Sequence, residues 1–243
     1  MAGHPARGVR VNVVFCHGIG SHKATYARAT IRALREGLGA QAQGVHWSSV
    51  LWSGVLDGRQ DRLMQAVSAG GDLDWNGPRR EYVISGLGDA CAYLGDRQTR
   101  YKILDRVGDA FAMLPDGPTV VLCHSMGCAV MMDYLHAHAP SRTPVQCAIL
   151  FGCNLPLFWL AHPAGQPLPL PQIPRVYNLY DSDDLLAYPL KEISDQTRAW
   201  VTGDYRISTG TILGAHTGYW TDSDFVDWVT KCLKRELRIS ASH

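Results

Sequence analysis

Apolar residues along the chain form two kinds of run. Residues 9–18, "VRVNVVFCHG", are rich in β-branched side chains and predict a buried strand that stops at Gly18. Residues 119–125, 145–153 and 175–184 ("TVVLCHS", "VQCAILFGC" and "RVYNLYDSDD") predict three more strands, and 44–52, "GVHWSSVLW", is strand-like. Between them the period lengthens. Residues 24–39, "ATYARATIRALREGLG", have helical spacing and end in glycine. Residues 81–114 predict helix with a break near Gly95, and 126–140 a helix that ends before Pro140. Residues 55–80 are mixed, punctuated by Gly70-Gly71 and Asn76-Gly77-Pro78.

The strands are continuous apolar runs rather than alternating ones, and helices separate them. That combination predicts an α/β protein with a mostly parallel central sheet covered by helices on both faces. With 243 residues, one domain covering 1–243 suffices. One segment breaks the pattern. Residues 154–174 hold six of the 13 prolines beside Leu155, Leu157, Phe158, Trp159 and Leu160, too apolar for a linker and too proline-rich for a helix.

Composition narrows the function classes. A formal net charge of +1 argues against nucleic-acid binding, which needs clustered cations. The densest basic stretch, "KCLKRELR" at 231–238, has helical spacing and reads as a solvated helix face. No apolar run reaches the ~18 residues of a membrane span, so stable membrane insertion is not expected, and the short polar start "MAGHPARGVR" lacks the apolar core of a secretory signal. The seven cysteines (Cys16, Cys91, Cys123, Cys128, Cys147, Cys153 and Cys232) form no C-x-x-C pair, and predict reduced, mostly buried thiols of a cytoplasmic protein. His136 and His138, two apart on a helix, diverge, so no metal site is expected there.

The candidate chemistry centres on Ser125. A strand running into a serine and then a helix sets the side chain at a sharp turn over the carboxyl edge of the sheet. The helix N-terminus adds backbone N–H donors and a positive dipole end. The surrounding "CHSMG" keeps Gly127 of the G-x-S-x-G elbow but has Cys123 at its first glycine position. The bland alternative is a serine that merely caps the helix. Three other features bear on the choice. The turn His17-Gly18 ends the first strand, so the amides of Ile19 and Met126 are candidate oxyanion donors. Asp181, Asp183 and Asp184 follow a later strand, where an acid can orient a histidine. His216 lies in "GAHTGYW" before the last helix, where a base can reach the sheet edge. The "GIGSHK" stretch fits neither G-x-G-x-x-G nor the phosphate-binding P-loop.

The order Ser, Asp, His, with a strand-HG turn upstream, resembles the α/β-hydrolase family over nearly the whole chain. The resemblance implies catalysis by Ser125, His216 and an acid followed by one residue and two aliphatics, which selects Asp183. It implies that "HGIG" is the oxyanion turn, that 154–174 is a lid-like insertion, and that no cofactor or metal is needed. The expected activity is hydrolysis of a small-molecule ester or lipid, with Leu157, Phe158 and Trp159 as an acyl pocket. A thioesterase, an amidase or a non-catalytic binding protein on the same fold are the alternatives. Oligomeric state is not legible.

Overall fold

A computed structural model describes residues 10–19, 23, 25–55, 88, 90–160, 166, 168–210 and 214–241. Most of the mixed stretch 55–80, the first part of the expected helix at 81–114, and 161–165 and 167 of the proline-rich segment lie outside the described residues.

Six parallel strands form one sheet. They are β1 (Val11–Cys16), β2 (Val45–Val50), β3 (Thr119–His124), β4 (Val145–Phe151), β5 (Arg175–Tyr180) and β6 (Gly203–Arg206), in the spatial order β2-β1-β3-β4-β5-β6. Every ladder is parallel, so each connection crosses back over a face and all the strand C-termini share one edge. Among the described residues the helices include α1 (Arg28–Leu38), α2 (Arg97–Ala112), α3 (Met126–Ala137), α4 (Leu155–Trp159), α5 (Asp195–Trp200), α6 (Ala215–Gly218) and α7 (Ser223–Ser240).

The core divides by the two-residue period of the strands. Val11, Val13 and Phe15 of β1 pack with Leu34 and Leu38 of α1 and with Phe225, Val229 and Leu233 of α7. Val14 and Cys16 face the other way, into Ile103 and Val107 of α2 and Val130 and Met131 of α3. Two buried faces explain why β1, β3 and β4 read as unbroken apolar runs.

One local feature refines the expectation and two depart from it. The break near Gly95 falls at Asp96, whose carboxylate accepts from Gln98 N–H at 3.0 Å and caps α2. β6, "GDYR", is a short, partly exposed edge strand with no apolar signal. The proline-rich segment does contain a helix, α4. Pro156 sits in its first turn, where a backbone N–H has no intrahelical acceptor to lose. Among the described residues no helix is long and apolar enough to cross a membrane.

Candidate active site

β3 places Ser125 at the shared edge of the sheet, directly before α3. Its backbone has φ 53° and ψ −129°, and it is the only non-glycine residue with positive φ among the described residues. An L-residue in that region costs on the order of 1–3 kcal/mol, which the surrounding structure must supply. The serine is held by its N–H, which donates to the Phe151 carbonyl at 3.1 Å, and by its carbonyl, which accepts from Cys128 N–H at 2.9 Å. Its hydroxyl makes no capping bond to α3, so the helix-cap reading fails.

The hydroxyl instead lies 2.9 Å from Nε2 of His216, on α6. Nδ1 of the same ring lies 2.9 Å from both carboxylate oxygens of Asp184. A carboxylate only accepts, so Nδ1 carries the proton and Nε2 is left to accept from Ser125. The acid beside His216 is therefore Asp184, and the expectation for Asp183 is corrected. After β5 the chain turns through 181–184, with Asp184 N–H donating to the Asp181 carbonyl at 3.2 Å. Asp183 sits at the exposed apex, its N–H donating to Asp181 Oδ1 at 2.9 Å, and the turn returns Asp184 to the interior. Asp181 is buried as well, but its carboxylate accepts from Thr209 and Asp183 and serves the turn.

Asp184 is tuned by its partners. Burial alone would raise its pKa, but His216, the Leu186 N–H at 3.0 Å and the Tyr219 hydroxyl at 3.1 Å all donate to it and hold it below the usual carboxylate range. The Tyr219 hydroxyl also accepts from Asp181 N–H at 2.8 Å, so one side chain ties the turn to the acid.

The His17-Gly18 turn is pressed against the serine. A Cβ on Gly18 would lie 2.7 Å from Ser125 Cβ. One on Gly127 would lie 2.4 Å from the His17 carbonyl oxygen, so α3 enters with its backbone touching the turn. The His17 ring braces this arrangement from behind. It stacks on Trp52 at 4.7 Å between centroids, accepts from Trp52 N–H at 3.2 Å, and donates from Nδ1 to the Gly18 carbonyl. Ile19 follows in the turn, and Met126 stands at the first position of α3, where its N–H has no intrahelical acceptor.

Cys123 is a regular strand residue, paired with Cys16 and Leu150 and fully buried. The unusual backbone belongs to Ser125, and the tight approaches belong to Gly18 and Gly127. Position 123 therefore requires smallness and apolarity, not glycine. Cys123→Gly is expected to keep its activity and lose about 1–2 kcal/mol of stability in chemical denaturation. Cys123→Leu is expected to lose about 1–3 kcal/mol through overpacking.

His124 joins the site although no motif in the sequence marks it. Buried as the last residue of β3, it donates from Nε2 to the backbone carbonyl of His216 at 2.6 Å, anchoring α6 to the strand that leads into the serine. Burial, and then the neighbouring His216, lowers its pKa to about 3 even though Asp184 lies close by; His17 also disfavours its charge. The unfolded chain thus takes up this proton first, and stability falls as pH drops from the ordinary histidine value of 6.5 toward 3. Asp184 and Asp181, both held below 3.8, add to the loss only at the acid end of that window and below it. In His124→Gln, which keeps a donor at the same reach, pH-dependent unfolding is expected to lose up to about 1.4 kcal/mol per pH unit of this slope between roughly pH 6 and 4. An unchanged slope would show that His124 is charged in the native protein.

Of the expected pocket residues, Phe158 and Trp159 line a cavity of about 130 Å³ with Ala129, Met132 and Tyr93, next to α3. Leu157 is not part of it and is 38% exposed. Larger surface hollows, of about 490 and 670 Å³, lie beside Arg10 and Leu237 and beside Pro140 and Pro174; neither they nor the Phe158 cavity is lined by Ser125, His216 or Asp184. Among the described residues one group has metal-ligand spacing, Cys147, Cys232 and Glu236. It lies toward the opposite end of β4 from Phe151.

Residues 13–231 match the family model of the alpha/beta hydrolase family. No curated protein matches the chain. Among solved structures, a protein assigned to the alpha/beta hydrolase superfamily from Xanthomonas campestris pv. campestris is similar at 15% identity and TM-score 0.47, covering 90% of this chain and 98% of that one. Polyneuridine aldehyde esterase is similar at 11% identity and TM-score 0.45, over 94% and 98% of the two chains.

Proposed function

Because the chain belongs to the alpha/beta hydrolase family, we propose that it is a serine hydrolase acting on carboxylic esters through Ser125, His216 and Asp184. The observation that carries this reading is the single imidazole held 2.9 Å from both Ser125 Oγ and the Asp184 carboxylate.

Ser125 Oγ attacks the ester carbonyl as its proton passes to Nε2 of His216. Asp184 accepts from Nδ1, holds the productive tautomer and stabilises the imidazolium. The amides of Ile19 and Met126 receive the oxyanion, aided by the N-terminus of α3. The tetrahedral intermediate expels the alcohol, which takes its proton from Nε2, leaving an acyl-enzyme. Water, deprotonated by the same nitrogen, attacks the acyl carbon; collapse releases the acid and returns the proton to Ser125. Phe158 and Trp159, which line one cavity with Leu155, Pro169 and Leu170, favour an apolar acyl group.

A fluorophosphonate probe tests the reading. The native protein is expected to label on Ser125 and to hydrolyse p-nitrophenyl esters, and Ser125→Ala to do neither. Equal labelling of the two would end the proposal. Faster turnover of matched thioesters or amides would keep the nucleophile and change the substrate class.

A further inference from the structure

Seven free cysteines are present, and the proposed chemistry uses none of them. Four of them, Cys16, Cys123, Cys128 and Cys153, pack in the core on the α3 face of the sheet, and burial pushes the thiols of Cys16, Cys123 and Cys128 up. Such thiols are inert. Cys147 of β4 and Cys232 of α7 differ. Their sulfurs lie 3.9 Å apart, far apart in sequence and in contact in the fold. The Arg235 guanidinium lies 3.5 Å from Cys232 Sγ, and its Nε is buried with no acceptor among the described residues.

Glu236 completes a cluster with the spacing of metal ligands, yet its surroundings oppose a cation. Its carboxylate accepts from Arg175 at 3.0 and 2.6 Å and from Arg235 at 3.2 Å, so two guanidinium groups crowd the place an ion would take. A positive field of that kind stabilises a thiolate instead.

We propose that Cys147 and Cys232 form a hydroperoxide-reactive thiol pair, with Cys232 as the attacking sulfur and Cys147 as the resolving one. The Cys232 thiolate attacks one peroxide oxygen, the O–O bond breaks, and hydroxide (or alkoxide) leaves with a sulfenic acid formed on Cys232. The Cys147 sulfur then displaces water from that sulfenic acid as it gives up its own proton. Two thiols supply two electrons to one hydroperoxide, and the product is a disulfide between β4 and α7.

The direction of attack follows from the position of Arg235, whose guanidinium lies 3.5 Å from Cys232 Sγ. The contact with Cys147, with Arg235 and Arg175, holds the Cys232 thiol below its ordinary range against burial and the Glu236 carboxylate. Cys147 is driven up by the same contact. Both sulfurs are buried, and Cys232, 6% exposed against 0% for Cys147, is the more accessible of the two. The chain between the two cysteines carries both Asp184 and His216, so the bond would close a loop containing the acid and base of the proposed site.

The native protein, exposed to a small molar excess of hydrogen peroxide, alkylated and digested, is expected to yield one cross-linked peptide pair, Cys147 to Cys232. Its intact mass falls by two hydrogens, its Tm rises by about 5 °C, and dithiothreitol reverses both changes. In Cys147→Ser the reaction stops at a sulfenic acid on Cys232 that dimedone traps. In Cys232→Ser, Cys147 stays unoxidised. Arg235→Ala slows the reaction of Cys232 several-fold.

Cross-links confined to the other cysteines overturn the proposal, as does dimedone capture on Cys91 alone or on Cys147 in place of Cys232. The measurement on the native protein is decisive by itself, so a variant that fails to fold does not shelter the idea. Because no step involves Ser125, loss of ester hydrolysis and loss of the cross-link are separate results.

Discussion

Asp184→Asn is expected to lower kcat by about 10⁴-fold with the fold intact, while Asp183→Asn stays within about twofold of the native enzyme. The two residues are adjacent, of one chemical type, and opposite in fate. Asp184 accepts from Nδ1 of His216 on both oxygens and is buried, whereas Asp183 faces solvent at the turn. An amide at 184 offers a donor as well as an acceptor. It stabilises the imidazole tautomer with its proton on Nε2, which cannot take one from Ser125. Initial rates on a p-nitrophenyl ester and labelling rates with a fluorophosphonate measure the same loss at the acylation step. Equal losses in the two variants would mean that the turn as a whole, rather than the carboxylate at 184, supports the base.

Gly18→Ala is expected to reduce kcat/KM by about 10²-fold or more, with thermal stability lowered by only about 1–3 kcal/mol. The added methyl would stand 2.7 Å from Ser125 Cβ and 3.2 Å from its Oγ. Either the serine retreats from His216 or the turn lifts the Ile19 amide away from the reacting carbonyl. Both displacements are small for the fold and large for a reaction that depends on aligned groups. Kinetics beside a melting curve separate the two consequences. Retained turnover would show that the turn yields without disturbing the serine, and would count against Ile19 as an oxyanion donor.

The layered fold was legible because its central strands are buried on both faces and announce themselves as apolar runs. β6 was not, since four residues on an exposed edge carry no such pattern. α4 was hidden by its proline, which harms a helix only beyond the first turn. Ser125 and His216 were legible from their neighbours, a strand and helix on one side and glycines on the other. The acid was not, because the choice among Asp181, Asp183 and Asp184 depends on which position of a tight turn points inward. Residue type does not encode that. His124 and Tyr219 were missed for a related reason: each acts through one polar atom while its ring packs among aromatics such as Phe151. A histidine inside an apolar strand, next to a candidate nucleophile, was the signal available for the first.

The bond from His124 to the His216 backbone carbonyl has a practical consequence. The base is moored to the sheet by a contact that does not pass through the serine hydroxyl, and Asp184 holds its other nitrogen. Ser125→Ala therefore leaves an assembled but unreactive cleft rather than a collapsed one. That variant suits fishing for the physiological substrate in cell extracts, because a captured molecule is retained uncut and is identified by its mass.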